Sequence, residues 1–306
     1  MYDCLVVGGG PAGLTAAVYL GRYRRKVVVV DAHESRAAWI PLSHNMAGFP
    51  EGITGIDLLT RMRVHAERYG AEFTTGTVEV LERTGRGFAA SLGGGGRLEA
   101  ATVILATGVV DLEPELPDLY QAVQRGLIRH CPVCDAYEVV GDRIAVIGHG
   151  ADALGEALFL RTYSDDVTML TLGRPMELTP EERRLMAEAG ISALEAAVAK
   201  VAVREGRIAA VELADGKTHA FDTLYSALST MARNGPAASL AAAMAADGRL
   251  VVDEHQRTSV PGVFAAGDIV DGLNQIAVAT GQAAIAATTI HNDLRNGRLP
   301  APVDPA

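Results

Sequence analysis

Apolar residues in this chain fall in short continuous runs separated by glycine-rich turns. "CLVV" leads into "GGGPAG", an Ala- and Leu-rich stretch follows, and "KVVVVD" closes the block. Continuous apolar strands bracketing a helix suit a parallel sheet covered on both faces. The same order restarts at "DRIAVIGHGADALGEALFL" and runs into "DDVTMLTLG". Two nucleotide-binding-like units in one chain carry more weight than either alone. Residues 72–98 alternate in polarity around "RTGRG" and "LGGGG", which predicts short antiparallel strands, and "AATVILATGV" then predicts a buried strand. Hairpins and a returning strand are expected over "ALEAAVAKVAVREGRIAAVELADGKTHAFDTLYSALS". The last block predicts a strand, a glycine-acid turn at Gly267 and Asp268, and a long Ala-rich helix. Its character matches the opening block, so the second unit is expected to be inserted into the first.

Composition narrows the function classes. A chain of 306 residues has room for two domains. With 49% hydrophobic, 21% charged and only 5% aromatic residues, it reads as a folded α/β protein whose core is mainly Ala, Val, Leu and Ile. The formal net charge of -10 argues against nonspecific binding to nucleic acid or an anionic membrane. No apolar segment reaches the roughly 20 residues needed to span a bilayer. The start "MYDCLVVGGG" reads as a strand and lacks the features of a secretory signal, so a cytoplasmic location is expected. Three cysteines make a structural disulfide framework unlikely on number alone, and Cys4 reads as a small buried hydrophobe.

Gly8, Gly10 and Gly13 form G-x-G-x-x-G between a strand and a helix. The first allows a tight turn, the second lets backbone approach a pyrophosphate, and the third lets helix and strand pack closely. The helix N-terminus presents amide hydrogens to phosphate, and Asp31 ends the next strand where a carboxylate can accept from ribose hydroxyls. Gly148, Gly150 and Ala153 make a second such pattern. No acid ends its following strand, although Arg174 lies near enough in sequence to meet a 2'-phosphate. The choice between a working nicotinamide site and a sheet that binds none stays open.

"RHCPVCDAYE", residues 129–138, holds the other two cysteines. Structural zinc needs about four ligands, and no second C-x-x-C pair accompanies Cys131 and Cys134, so no metal site is expected. A static disulfide or two inert thiols compete with a reversible dithiol-disulfide, which this spacing favours. Asp135 could exchange the accompanying proton or serve as an ordinary cap, and His130 reads equally as a proton carrier or a polar surface residue.

"GGGPAG", "ATG" at 106–108, "CPVCD" at 131–135, "GHGADA" at 148–153 and "GVFAAGD" at 262–268 follow one another in an order that resembles the low-molecular-weight thioredoxin reductase family, FAD-dependent pyridine nucleotide-disulfide oxidoreductases of class II. The resemblance covers nearly the whole chain. It implies an α/β fold of two Rossmann-like nucleotide-binding domains, the second inserted into the FAD domain. The expected division is 1–113 and 246–306 for the FAD domain and 114–245 for the NAD(P)-binding-like domain. It implies that Gly8, Gly10, Pro11, Gly13 and Asp31 hold the adenosine-pyrophosphate half of FAD, with Asn45 near the flavin. Thr107 and Gly108 would line the cofactor, Asp268 would lie at the ribityl phosphate, and Gln275 and Ile276 would approach the ring. Cys134 would be the flavin-proximal thiol, Cys131 the interchange thiol, and Asp135 the proton carrier. A homodimer is implied as well.

Two departures shape the functional expectation. The spacer is Pro132-Val133 where the family commonly has Ala-Thr, and "HCPVCDAYE" with "SHNMAG" is also similar to flavin-dependent oxidases of small dithiols. "TLGRP" stands where NADPH-using members carry a His-Arg-Arg clamp, so loss of charge-assisted phosphate contacts leaves NAD(P)H use open. Three readings compete: a disulfide oxidoreductase whose donor need not be NADPH, an oxygen-using dithiol oxidase, and a nonenzymatic flavin-binding redox sensor. Thioredoxin-like protein, ferredoxin and small dithiols or disulfides are the candidate partners.

Overall fold

A computed structural model describes residues 1–114, 119–204 and 207–298. The first apolar run is β1, Tyr2–Val7, followed by α1, Pro11–Arg22, and β2, Val27–Asp31. A crossover through α2, Gly55–Arg68, leads to β3, Glu72–Thr75, and then β4, Val78–Thr84, β5, Gly87–Leu92, and β6, Arg97–Leu105. β3 pairs in parallel with β2, through Val29–Phe73 among others, which corrects the antiparallel expectation for that strand. The physical reason is the α2 crossover, which returns the chain to the end of the sheet where β2 began. β4 and β5, and then β5 and β6, are antiparallel. The polar "RLEA" and the apolar "ATVIL" are one strand: β6 pairs with β5 over Arg97–Ala100 and continues alongside β1 as far as Leu105.

Next come β7, Val109–Asp111, α3, Leu119–Gln124, and β8, Ile128–Arg129. The cysteine pair brackets the start of α4, Pro132–Asp135, and β9, Ile144–Ile147, opens the second repeat into α5, Gly150–Leu160, and β10, Val167–Leu170. They are followed by α6, Pro180–Glu188, β11, Ser192–Leu194, β12, Val198–Arg204, β13, Arg207–Leu213, β14, Thr218–His219, β15, Thr223–Ser226, and β16, Thr230–Ala232. The order β11-β10-β9-β15-β8 is a second sheet, parallel throughout, while β12, β13 and β14 form an antiparallel meander. The turn expected in "VAVREGRIAAV" falls on residues 205–206, outside the described residues.

The chain closes with α7, Gly235–Ala238, β17, Val263–Ala265, and α8, Ile276–Arg295. β17 lies parallel to β6, pairing Phe264 with Ile104, so the last segment completes the first sheet and the middle segment is an insertion. The chain divides into two units: Met1–Ala38 with Thr54–Val110 and Met231–Ala306, and Trp39–Ile53 with Asp111–Thr230.

The central parallel strands of each sheet are buried on both faces, which explains their uninterrupted apolar runs. Cys4, Val6, Val27 and Val29 face α1 and α8, while Leu5, Val7, Val28 and Val30 face Phe88, Leu250 and Ile269. Ala16 and Ala17 of α1 share their cluster with Ala283, Ala286 and Ala287 of α8. Small side chains let two helix backbones approach closely, so a chain poor in aromatics can still fill its core. In the second unit Ile144 and Val146 face one cluster, and Ala145 and Ile147 face the other. Among the described residues, no helix is long and apolar enough to cross a membrane.

Candidate functional site

In the first unit β1 ends at Val7 and α1 begins at Pro11, so three glycines make the whole connection. Gly8 has a φ of 114°, and a Cβ there would fall onto the Ala106 carbonyl oxygen. Only glycine accepts that backbone and that contact. A Cβ at Gly13 would strike the Gly8 carbonyl oxygen, so the turn and the helix are pressed together. Pro11 occupies the first helical position, where its missing N–H costs no helical hydrogen bond. The helix opens without a side-chain cap, and the Gly10 amide has no acceptor among the described residues. Gly9 lies outside the G-x-G-x-x-G positions. A Cβ on it would overlap the Asp31 carboxylate, so Gly9 is what lets that carboxylate lie against the turn. Three consecutive glycines facing a strand-terminal acid were the available signal. The Asp31 carboxylate accepts from the His33 amide at 2.9 Å and lies 3.6 Å from Nη1 of Arg63.

Thr107 and Gly108 come just after β6, past Ala106, with open space where a Gly108 Cβ would stand. Asp268 follows β17, and its carboxylate faces Nη1 of Arg36 at 3.4 Å. Gln275 is the N-cap residue of α8 and Ile276 its first residue. The neighbouring Asn274 holds a buried Oδ1 that has no donor among the described residues. An open helix N-terminus, glycine-lined backbone, a carboxylate at the end of the second strand and a buried orphan acceptor fit a dinucleotide such as FAD. Asn45 belongs to the other unit. It accepts from Oγ of Ser43 at 3.0 Å, and its Nδ2 lies 3.5 Å from the carbonyl of Val133, between the two cysteines.

In the second unit Cys131 and Cys134 are joined by a disulfide. Cys131 is the N-cap of α4, Pro132 takes the first helical position, and the Cys134 amide donates to the Cys131 carbonyl at 2.9 Å. Both cysteines are half-buried and Val133 is exposed, so the bond sits where a partner sulfur can reach it. Cys4, by contrast, lies in β1 with no exposed surface, and burial pushes its thiol up to about 12. Asp135 has both carboxylate oxygens engaged: Nη1 of Arg129 donates to Oδ2 at 2.7 Å, and the Tyr225 hydroxyl donates to Oδ1 at 2.8 Å. His130 pairs instead with Glu113, Nε2 to Oε2 at 2.9 Å.

Burial, reinforced by the Asp135 charge, pushes the Tyr225 phenol upward, so it stays a donor to Asp135. Unfolded tyrosine ionises near pH 10, so the stability tied to this proton is complete below about pH 10 and declines as pH rises beyond it. Tyr225→Phe is expected to cost about 1.5–3 kcal/mol at neutral pH, the worth of a hydrogen bond to a charged group. That cost should shrink in alkali, by up to about 1.4 kcal/mol per pH unit above the tyrosine range. Denaturant unfolding of both proteins at several pH values checks this, and a difference that grows with pH would contradict it.

The second glycine turn departs from the first. A Cβ on Gly148 would lie 2.7 Å from both the Ala153 Cβ and the Ala227 carbonyl oxygen, so strand and helix are again tightly joined. Here, however, the Gly150 amide donates to the Met176 carbonyl at 2.9 Å. Nη1 of Arg174 lies 3.1 Å from Nε2 of His149, whose other ring nitrogen is 3.6 Å from Glu177. The segment after β10 thus covers the start of α5 and occupies the arginine that a 2'-phosphate would require. This arrangement does not offer a nicotinamide dinucleotide the open amide that the first turn presents.

A family model described as "Pyridine nucleotide-disulphide oxidoreductase" matches residues 2–283. Thioredoxin reductase of Treponema pallidum is 30% identical over 299 residues, spanning 94% of this chain and 95% of that protein. The crystal structure of HlmI superposes with a TM-score of 0.89 at 33% identity, covering 97% of this chain and 93% of that one. Thioredoxin reductase from Streptococcus pyogenes gives a TM-score of 0.89 at 27% identity, covering 97% and 99%. With the disulfide and the first nucleotide turn in place, these likenesses assign the chain: it belongs to the pyridine nucleotide-disulphide oxidoreductase family, as a thioredoxin reductase-like, FAD-dependent thiol-disulfide oxidoreductase of class II.

Proposed function

We propose that Cys131 and Cys134 are the redox pair of this oxidoreductase and that NADPH is not its electron donor. The observation that carries the reading is the bonded pair itself, half-buried on a short helical turn, with the third cysteine locked in β1. Bound FAD supplies the two-electron exchange with this pair. Gly8, Gly10, Pro11, Gly13 and Asp31 hold the adenosine-pyrophosphate half, and Thr107, Gly108, Asp268, Gln275 and Ile276 hold the remainder. Asn45 fixes the Val133 carbonyl and so the spacer between the sulfurs. Cys131 exchanges with the partner sulfur, Cys134 closes the disulfide behind it, and Asp135 carries the accompanying proton. The chain acts as a homodimer.

The covered second turn also favours one further reading. Where the Gly150 amide and Arg174 are already engaged, electrons enter more simply from a dithiol substrate than from a nicotinamide. The pair would then run oxidatively, taking two electrons from a small dithiol, with oxygen as the final acceptor. Gly148 and Ala153 serve packing in either direction.

Anaerobic reduction of the bound flavin, followed by its visible absorbance, tests the donor. NADPH, NADH, reduced ferredoxin and dithiothreitol are compared on the same protein. The expected result is slow bleaching with both nicotinamides and fast bleaching with dithiothreitol or ferredoxin. Fast reduction by low micromolar NADPH would overturn the reading of the second turn. Bleaching by dithiothreitol, followed by rapid reoxidation in air, would select the oxidase direction.

A further inference from the structure

Both redox cysteines and Asp135 belong to one short turn: Cys131 caps α4, Cys134 lies within it, and Asp135 is its last residue. The carboxylate meets two donors from the second sheet. Nη1 of Arg129 donates to Oδ2 at 2.7 Å, and the Tyr225 hydroxyl donates to Oδ1 at 2.8 Å. Arg129 ends β8, Tyr225 lies in β15, and the two are direct partners in the parallel pairing of those strands. Partners in register point to the same face of a sheet, so strand pairing itself sets guanidinium and phenol side by side. Ala136 and Val139, just after α4, share a buried cluster with Tyr225 and hold the turn onto that face.

The arrangement is costly for Arg129. Its side chain is only 19% exposed, its Nε is buried without an acceptor, and among the described residues its guanidinium hydrogen-bonds Asp135 alone. Sequestering an arginine for one carboxylate adds little stability, because desolvation offsets much of the attraction. It does fix where the carboxylate points. Tyr225 is fully buried, and burial, reinforced by the Asp135 charge, keeps its phenol protonated. The two donors answer differently when the acid takes up a proton. A guanidinium only donates, so Arg129 holds Oδ2 in both states. A phenol donates or accepts, so the Tyr225 bond to Oδ1 survives by rotation of its hydroxyl. The other titratable groups on elements packed about α4 are Glu138 on the following turn and Asp152 and Glu156 on α5, while His130 pairs with Glu113.

We infer that Arg129 and Tyr225 are positioning residues for proton transfer at the redox pair, acting through Asp135. The inference rests on the reading of Asp135 as the proton carrier of Cys131 and Cys134. In the reducing direction the Cys131 thiol gives its proton to Asp135, and the thiolate attacks a partner disulfide. A mixed disulfide forms, and the first partner sulfur leaves with the proton from Asp135. Cys134 then loses its proton to Asp135 and attacks the Cys131 sulfur. The second partner sulfur leaves with that proton, and the Cys131–Cys134 bond is restored. Two electrons and two protons have passed from the dithiol to the partner, and the oxidative direction is the reverse. Each proton passes through one carboxylate that the cross-strand pair holds in a single orientation.

The test uses the full, flavin-loaded chain carrying Cys134→Ser, in which Cys131 is the reactive thiol because Cys4 is fully buried. Its mixed-disulfide formation with bis(hydroxyethyl) disulfide is timed by mass spectrometry from about pH 6 to about pH 10, a range spanning thiol titration. On this parent, Asp135→Asn should slow exchange near pH 7 by about a hundredfold, the low end of general acid-base catalysis. Tyr225→Phe and Arg129→Gln should each slow it by about tenfold, the cost of a slightly misplaced acting group. Arg129→Lys, which keeps the charge, should recover part of that loss. By about pH 10 the thiol ionises without help, so these rates should converge on the parent's. Asp135→Asn combined with Tyr225→Phe should be no slower than Asp135→Asn alone. A Tyr225→Phe or Arg129→Gln rate equal to the parent's near pH 7, a loss undiminished at about pH 10, or a further loss in the double variant overturns the inference. The reading beneath it fails separately, if Asp135→Asn alone keeps the parent's rate.

Discussion

Replacing Cys134 by serine lowers multiple turnover with dithiol or disulfide substrates by at least about a thousandfold, as expected when one member of a group that acts as a unit is removed. A serine hydroxyl cannot form the sulfur-sulfur bond that stores two electrons, so Cys131 alone can form a mixed disulfide but cannot resolve it. No other thiol can replace it. The remaining cysteine, Cys4, lies in the middle of the first sheet with no exposed surface and its thiol pushed up to about 12. The fold should survive, because the bond closes a ring across a sequence separation of 3. So small a ring removes little freedom from the unfolded chain. Flavin content, read from visible absorbance, should therefore stay at the wild-type level while steady-state turnover collapses. Cys131→Ser should behave alike in turnover. Substantial turnover in either variant would remove the pair from the reaction.

The parts of this molecule most legible in the sequence are those whose physical cause is local. A strand, three glycines and a helix lie within Tyr2–Arg22, and their apolar pattern and turn chemistry agree with one another. The insertion was legible because the final block repeats the character of the first, and β17 does complete the first sheet. What the sequence concealed depends on distant partners. Tyr225 meets Asp135 across 90 positions, and Glu113 reaches His130 across 17. The Met176 carbonyl that covers Gly150 is a backbone group, so no residue type announces it. Parallel pairing of β3 was hidden for a related reason. Alternating polarity marks a strand with one wet face, and an edge strand shows that pattern in either direction. The grouping of Trp39–Ile53 with the second unit is likewise set by contacts, such as Gln124 donating to the Trp39 carbonyl at 2.9 Å.

Gly13→Val should abolish FAD retention, and two milder substitutions show whether the cause is the site or the fold. A Cβ at position 13 overlaps the Gly8 carbonyl oxygen and lies 3.2 Å from Cγ1 of Val6, so valine would force α1 away from β1. Overpacking of this kind costs about 1–3 kcal/mol, with the strain concentrated on the turn that meets the pyrophosphate. Purified Gly13→Val is expected to be colourless and to unfold at lower denaturant. Gly10→Ala separates the two effects. Its backbone φ of -79° suits alanine, and the added Cβ would lie 3.2 Å from Oγ of Ser35, a side chain able to turn aside. The chain should therefore fold normally, yet the methyl group would stand beside the open amide of α1. At least about a tenfold rise in the Kd for FAD is expected, equivalent to about 1.4 kcal/mol. Gly155→Ala, in α5, is the control: its Cβ would meet nothing within 4 Å. It should leave FAD affinity unchanged and add up to about 1 kcal/mol of stability through helix propensity. Equal loss of FAD in Gly10→Ala and Gly155→Ala would mean that the first glycine turn is not where the cofactor's phosphates bind.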